Sequence, residues 1–221
     1  MKNTGHEEKV FLDLEMNPVS KEFREERQIC KSEIIEVGAV KYDADNRKIS
    51  TFREYVRPKY SEKLTGTVEK LTHLDPAKVY AGDSFSAVIA RFLEWCGDRC
   101  VVFCWSENDY IQLMEEGLLK SFEAMERLSS VLSGWRDVQT EFADASGISR
   151  HMNLGKAMDL CDIRFPGKEH NALDDAAATA ELFFEMNGGT KVRKIRNAMG
   201  GNEEPIGMSL GSLLANFCAV A

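Results

Sequence analysis

Three stretches of this chain with strong apolar patterning each carry acidic residues within or just beyond them. The first lies in KVFLDLEMNP, where Val10, Phe11, Leu12 and Leu14 form a short strand-favouring run that predicts a buried strand. The second is CVVFCW at 100–105, another buried-strand pattern, after which Ser106 to Asp109 open a helix through Tyr110, Leu113 and Met114. The third is the alanine-rich stretch after the Pro166–Gly167 turn, which predicts a helix from about Asn171 to Glu185. Between the first two, Glu33 to Tyr42 and Lys48 to Val56 read as antiparallel strands joined by the turn DADNR. A short helix follows in SEKLTGTVEKLTHLD, and then a helix capped by Asp83 whose core face is Phe85, Val88, Ile89, Phe92, Leu93 and Cys96. The stretch from Glu115 to Arg150 predicts a helix, the WRDVQTEF segment and a glycine-containing turn, with no chemistry of its own.

The acids inside these runs carry the chemistry. Asp13 and Glu15 are two apart on a strand, so both carboxylates point to the same face. Unpaired buried charge costs several kcal/mol, and the usual compensation is a cation, with hard oxygen ligands suiting magnesium or manganese. The alternative for this pair is a strand end whose acids sit in solvent. Asp109 falls at a strand-to-helix junction, at the carboxyl end of a strand, where open sheets gather ligands; its alternative role is helix capping. On the third element, Asp174, Ala178, Glu181 and Glu185 share one helix stripe that reads as solvated. Asp175 shares another with Ala172, Thr179, Leu182 and Met186, so the inward stripe selects Asp175 over Asp174. His170 precedes this helix and can bring its imidazole back toward Asp175, where a side chain titrating near neutrality suits proton transfer; alone it reads more often as a loop residue.

Taken together, Asp13-x-Glu15, the CWSEND segment ending in Asp109, and His170-x-Ala172-x-x-Asp175 match the three motifs of the DEDDh exonucleases, and the chain resembles that superfamily from residue 10 to about 186. The form of the second motif and the ending FPGKEHNALDDAAATAELF are most similar to the Eri-type exoribonuclease branch. This resemblance implies a ribonuclease H-like α/β fold, with a mixed central sheet flanked by helices. It also implies removal of nucleotides one at a time from a 3' end, RNA favoured, releasing nucleoside 5'-monophosphates. A DNA-directed proofreading or repair exonuclease, and a regulatory binding protein on a nuclease scaffold, are the alternatives. By the same resemblance, Asp13, Glu15, Asp109 and Asp175 hold two Mg2+ or Mn2+ ions, Asp13 bridging them, and His170 deprotonates the attacking water. Met16, Leu64, Thr65 and His170 are the expected substrate contacts, with a core contact the equal alternative for Met16 and packing the favoured alternative for Leu64 and Thr65.

Length and charge limit this reading. A chain of 221 residues suits one well-packed α/β domain, expected over 1–187, with a tail over 188–221. Glycines multiply in the tail and signal turns, yet Leu210, Leu213, Leu214 and Phe217 make an apolar stripe able to dock on its own domain, a second subunit or a partner protein. No long apolar segment or signal-like N-terminus is evident, and cytoplasmic location with reduced cysteines is expected. Cys96, Cys100 and Cys104 read as core rather than zinc ligands. The net charge of -8 argues against a long nucleic-acid footprint and favours a single-stranded or short substrate. Basic candidates are Lys21, Arg24 and Arg27, and Lys191, Arg193, Lys194 and Arg196, with solvated surface as the default for both.

Overall fold

The computed structural model describes residues 7–150 and 152–199 of the chain. The first apolar run forms β1 (Glu8–Pro18), followed by a short α1 (Glu26–Ile29), the long β2 (Ser32–Tyr42) and β3 (Lys48–Arg57). Then come α2 (Gly66–Thr72), α3 (Pro76–Tyr80), the two-residue β4 (Asp83–Ser84), α4 (Phe85–Cys96) and β5 (Cys100–Cys104). The remainder is α5 (Glu107–Leu119), α6 (Met125–Leu132), β6 (Arg136–Asp137), α7 (Val138–Ser146), α8 (Leu154–Leu160), α9 (Ala172–Gly188) and α10 (Lys191–Ala198).

The strands join in one sheet of order β4-β3-β2-β1-β5-β6. The β1–β2 and β2–β3 pairs are antiparallel; β1–β5, β5–β6 and β3–β4 are parallel. This is the expected mixed sheet with helices on both faces. Alternation along β1 divides the core: Val10, Leu12 and Leu14 pack with α4, Leu113 of α5, and Leu128 and Leu132 of α6. Phe11 faces the other way, its ring 4.9 Å from Phe103 and 5.4 Å from Phe183 of α9. Asp13 and Glu15 continue the face of Phe11, so the carboxylates emerge where this aromatic cluster ends.

A buried polar network fixes α5 against the sheet. Glu116 accepts from the backbone N–H of Ile34 at 2.7 Å and from the Lys120 ammonium at 2.6 Å. The same ammonium reaches Glu33 at 2.8 Å, and Glu33 also accepts from the backbone N–H groups of Lys59 and Tyr60. Both glutamates are fully buried, so the single cation and the backbone donors compensate two charges that would otherwise be costly.

Three local expectations change. The N-cap of α4 is Ser84, whose hydroxyl accepts from Ala87 N–H, while Asp83 sits one residue earlier in β4 and pairs with Arg91. On α9 the stripe read as solvated is mixed: Glu181 is exposed but Ala178 is fully buried, because a helix lying between the sheet and α7, α8 and α10 buries more than one stripe. Where glycines suggested turns, Lys191–Ala198 forms α10, with Val192 buried against the core. His151 and the apolar stripe Leu210, Leu213, Leu214 and Phe217 lie outside the described residues.

Candidate active site

The site lies where the carboxyl ends of β1 and β5 meet the N-termini of α5 and α9. β1 supplies Asp13 and Glu15; opposite them in register on β2 stand Gly38 and Glu36. A bulge follows at once, the pairing stepping from Glu15–Glu36 to Met16–Ile34. Bulges bend a strand and re-aim side chains beside functional sites. Asp109 comes from the first turn of α5, behind the cap formed by Ser106, and is only 5 % exposed. Capping therefore belongs to Ser106, and Asp109 points inward instead.

Asp175 occupies the first turn of α9, capped by Asn171, whose side chain accepts from Asp174 N–H. Its Oδ2 accepts a hydrogen bond from His170 N–H at 3.0 Å, across a backbone that turns through a left-handed conformation at His170 (φ 63°). That turn exposes the histidine side chain and returns it over the helix end. Glu15, His170 and Asp175 offer ligand atoms all within 4.8 Å of one another. Asp174 turns outward and accepts from Lys168 N–H, as the stripe analysis required.

Electrostatics binds the acids into one cluster. Burial raises the Asp13 carboxyl well above its usual range, and the charges of Asp109, Asp175, Glu15 and Glu36 push it further. Burial lifts Glu15 to about 8, with Asp175, Glu36 and Asp109 adding to it. Asp109 and Asp175 rise to about 7 for the same first reason. Backbone hydrogen bonds oppose both increases, from Leu14 and its own amide for Asp109 and from His170 for Asp175. Asp175 Oδ1 is buried and has no hydrogen-bond partner. A buried orphan oxygen among mutually repelling carboxylates fits a divalent cation, since hard oxygen donors of that kind are its preferred ligands.

The expected substrate contacts take different positions. Met16 is partly buried and packs on the α4–α6 side of the sheet. Leu64 is 3 % exposed, in a small apolar cluster with Ile35, Leu74 and Val79. Thr65 caps α2 and is partly exposed, its backbone N–H held at 2.9 Å by the buried side chain of Asn17. Of the expected basic clusters one lies elsewhere: α10 follows the far end of α9, a 17-residue helix about 25 Å long, so Lys191, Arg193, Lys194 and Arg196 stand away from Asp175. Arg27 is turned back onto the carbonyl of Val19.

Sequence reading missed Glu36 and Arg53. Glu36 is fully buried, accepting from Arg53 Nε at 2.7 Å and from Ala172 N–H at 3.2 Å. Its signal was an acid in the midst of EIIEVGAV, where apolar residues flank it on both sides.

The Exonuclease family model, RNase T, matches residues 10–183. The 3'-5' exonuclease crn-4 of Caenorhabditis elegans is 25% identical over 173 residues, covering 72% of this chain and 58% of that protein. The probable 3'-5' exonuclease KapD of Bacillus subtilis is 29% identical over 153 residues, 68% of this chain and 71% of its own. In fold, the chain is similar to the nuclease domain of 3'hExo, a DEDDh family member solved with rAMP, at a TM-score of 0.66 and 17% identity. That likeness covers 91% of this chain and 99% of that one. With the family model spanning all three motifs and their residues gathered at the carboxyl ends of neighbouring strands in a sheet of matching fold, the chain belongs to the Exonuclease family.

Proposed function

We propose that this protein is a metal-dependent 3'-5' exonuclease that hydrolyses single-stranded or short RNA and releases nucleoside 5'-monophosphates. The observation that carries the reading is the unpartnered, buried Asp175 Oδ1 within a cluster of carboxylates beside an exposed histidine. Asp13, Glu15, Asp109 and Asp175 would hold two Mg2+ or Mn2+ ions. Five acids face the site, Glu36 included, and Arg53 pairs with that one, leaving four carboxyl groups as ligands for two divalent cations. Such ions, when bound, neutralise the phosphodiester, acidify a water and stabilise the leaving 3' oxygen.

The chain's own groups do the rest. His170 stands exposed over Glu15 and Asp175, with its backbone N–H tied to Asp175, so its imidazole is free to take a proton from the attacking water at the nitrogen facing those carboxylates. Of the expected contacts Thr65, partly exposed and tied to β1 through Asn17, is the one placed to meet substrate, whereas Met16 packs on the α4–α6 side of the sheet and Leu64 lies in its own apolar cluster. The acidic chain, at -8, supports a small footprint at a strand end over a long duplex groove. Preference for RNA is supported by the form of the second motif and by the likeness to 3'hExo.

Matched RNA and DNA oligonucleotides, labelled at the 5' end, test this with Mg2+, with Mn2+ and with chelator. A one-nucleotide ladder from the 3' end, on RNA and only with metal, is the expected result. A ladder on DNA alone would replace the RNA assignment, and cleavage by a folded Asp13→Asn protein would overturn the site.

A further inference from the structure

Asp175 and His170 reach the site only because the N-terminus of α9 sits directly on the sheet beside Asp13, and three features hold it there. Gly38 stands opposite Asp13 in register, and a Cβ at this position would lie 2.2 Å from the Ala172 carbonyl carbon and the Leu173 nitrogen. Glycine thus permits a backbone-on-backbone approach that any side chain would block. Glu36, opposite Glu15, then accepts from the backbone N–H of Ala172 at 3.2 Å, the first residue of α9. Its other oxygen accepts from Arg53 Nε at 2.7 Å, with Arg53 drawn from β3, where it pairs in register with Gly38.

Glu36 is as deeply buried as any acid in the cluster, yet both its oxygens are committed to protein donors, whereas Asp175 retains one with no partner. That difference separates a tether from a ligand. We infer that the Glu36–Arg53 pair is a positioning device: it clamps the start of α9 to β2, setting the distance of Asp175 and His170 from Asp13 and Glu15. Arg53 has a second task, since without it Glu36 would add a fifth uncompensated charge next to Glu15. This inference rests on the proposed roles of His170 and Asp175.

Four variants test it: Arg53→Met, Glu36→Gln, the Glu36→Gln/Arg53→Met double variant, and Asp175→Asn as a control for the site itself. Each is measured for kcat and KM on a 3'-end substrate, for Mn2+ affinity by calorimetry without nucleic acid, and for thermal unfolding. Ala172 N–H and Arg53 Nε approach different oxygens of Glu36, so a glutamine at 36 must turn its NH2 toward one of these donors and lose that hydrogen bond. Removing the guanidinium relieves that conflict, and the amide oxygen can again serve Ala172.

Each single variant is therefore expected to lose about 10–100-fold in kcat and in Mn2+ affinity, the range for residues that support metal ligands, with KM changed less than about threefold. The double variant is expected to recover most of both while melting no higher than the better single variant. Wild-type kcat and Mn2+ affinity in the single variants, or a double variant no more active than either, would overturn the inference. Full activity in Asp175→Asn would instead overturn the site on which it stands.

Discussion

Glu15→Gln should make the metal-free protein more stable at the same time as it disables the site. Burial and the charges of Asp175, Glu36 and Asp109 carry the Glu15 carboxyl from 4.5 to about 8 in the folded chain. At 1.36 kcal/mol per pH unit that gap corresponds to about 5 kcal/mol, and solvent screening at a partly exposed carboxyl reduces it to about 2–4 kcal/mol. The folded pKa is raised, so between about 4.5 and 8 the folded state binds more protons than the unfolded one, and stability falls as pH rises through that window. A neutral glutamine removes the share of that dependence due to Glu15. In EDTA at pH 8 the variant is expected to melt about 5–10 °C above wild type, and at pH 5 the difference should shrink to about 2 °C or less. Mn2+ at pH 8 should raise the melting temperature of wild type more than that of the variant. Thermal unfolding followed by circular dichroism at both pH values decides the matter. An unchanged or lower melting temperature at pH 8, or an equal gain at both, would refute the electrostatic account of the cluster.

Three further perturbations probe separate parts of the same argument. Gly38→Ala puts a methyl into the Ala172–Leu173 backbone and should lower stability by about 1–3 kcal/mol while reducing kcat at least tenfold, read from unfolding curves and single-turnover kinetics. His170→Ala should lower kcat by about 10²–10⁴-fold, with Mn2+ affinity within about threefold of wild type by calorimetry. Lys120→Met strands the buried Glu33 and Glu116 without their shared cation and should destabilise the chain by about 3–5 kcal/mol in denaturant titration.

What the sequence disclosed, and what it withheld, follows from which interactions are local. The strands at Val10–Leu14, Glu33–Tyr42 and Cys100–Cys104 and the helix face Phe85–Cys96 were legible because burial leaves either a short apolar run or a helical period on neighbouring positions. Asp175 was separable from Asp174 for the same reason. Glu36 was not legible as part of the site, since its meaning lies in Arg53, 17 residues away, and Ala172, 136 residues away. The mixed stripe on α9 escaped notice because Ala178 is small enough to suit either solvent or core, and only packing against neighbouring elements decides which. The helix α10 was hidden by the glycines that flank it.

The site also explains why its acids come from separate elements. Asp109 and Asp175 each lie in the first turn of a helix, α5 and α9, where the helix dipole favours a carboxylate. That favour amounts to about 0.3–1 kcal/mol, or about 2 in partly buried geometry. Glu15 alone, held at about 8, implies more than one such contribution can offset. The helix ends therefore reduce the repulsion without cancelling it, and Arg53 is already engaged by Glu36. Because β1, α5 and α9 are far apart in sequence, the repulsion arises only once the chain has folded and brought them together. A divalent cation that relieves it accordingly binds the folded state in preference to the unfolded one, so metal affinity and fold stability are linked through the same carboxylates.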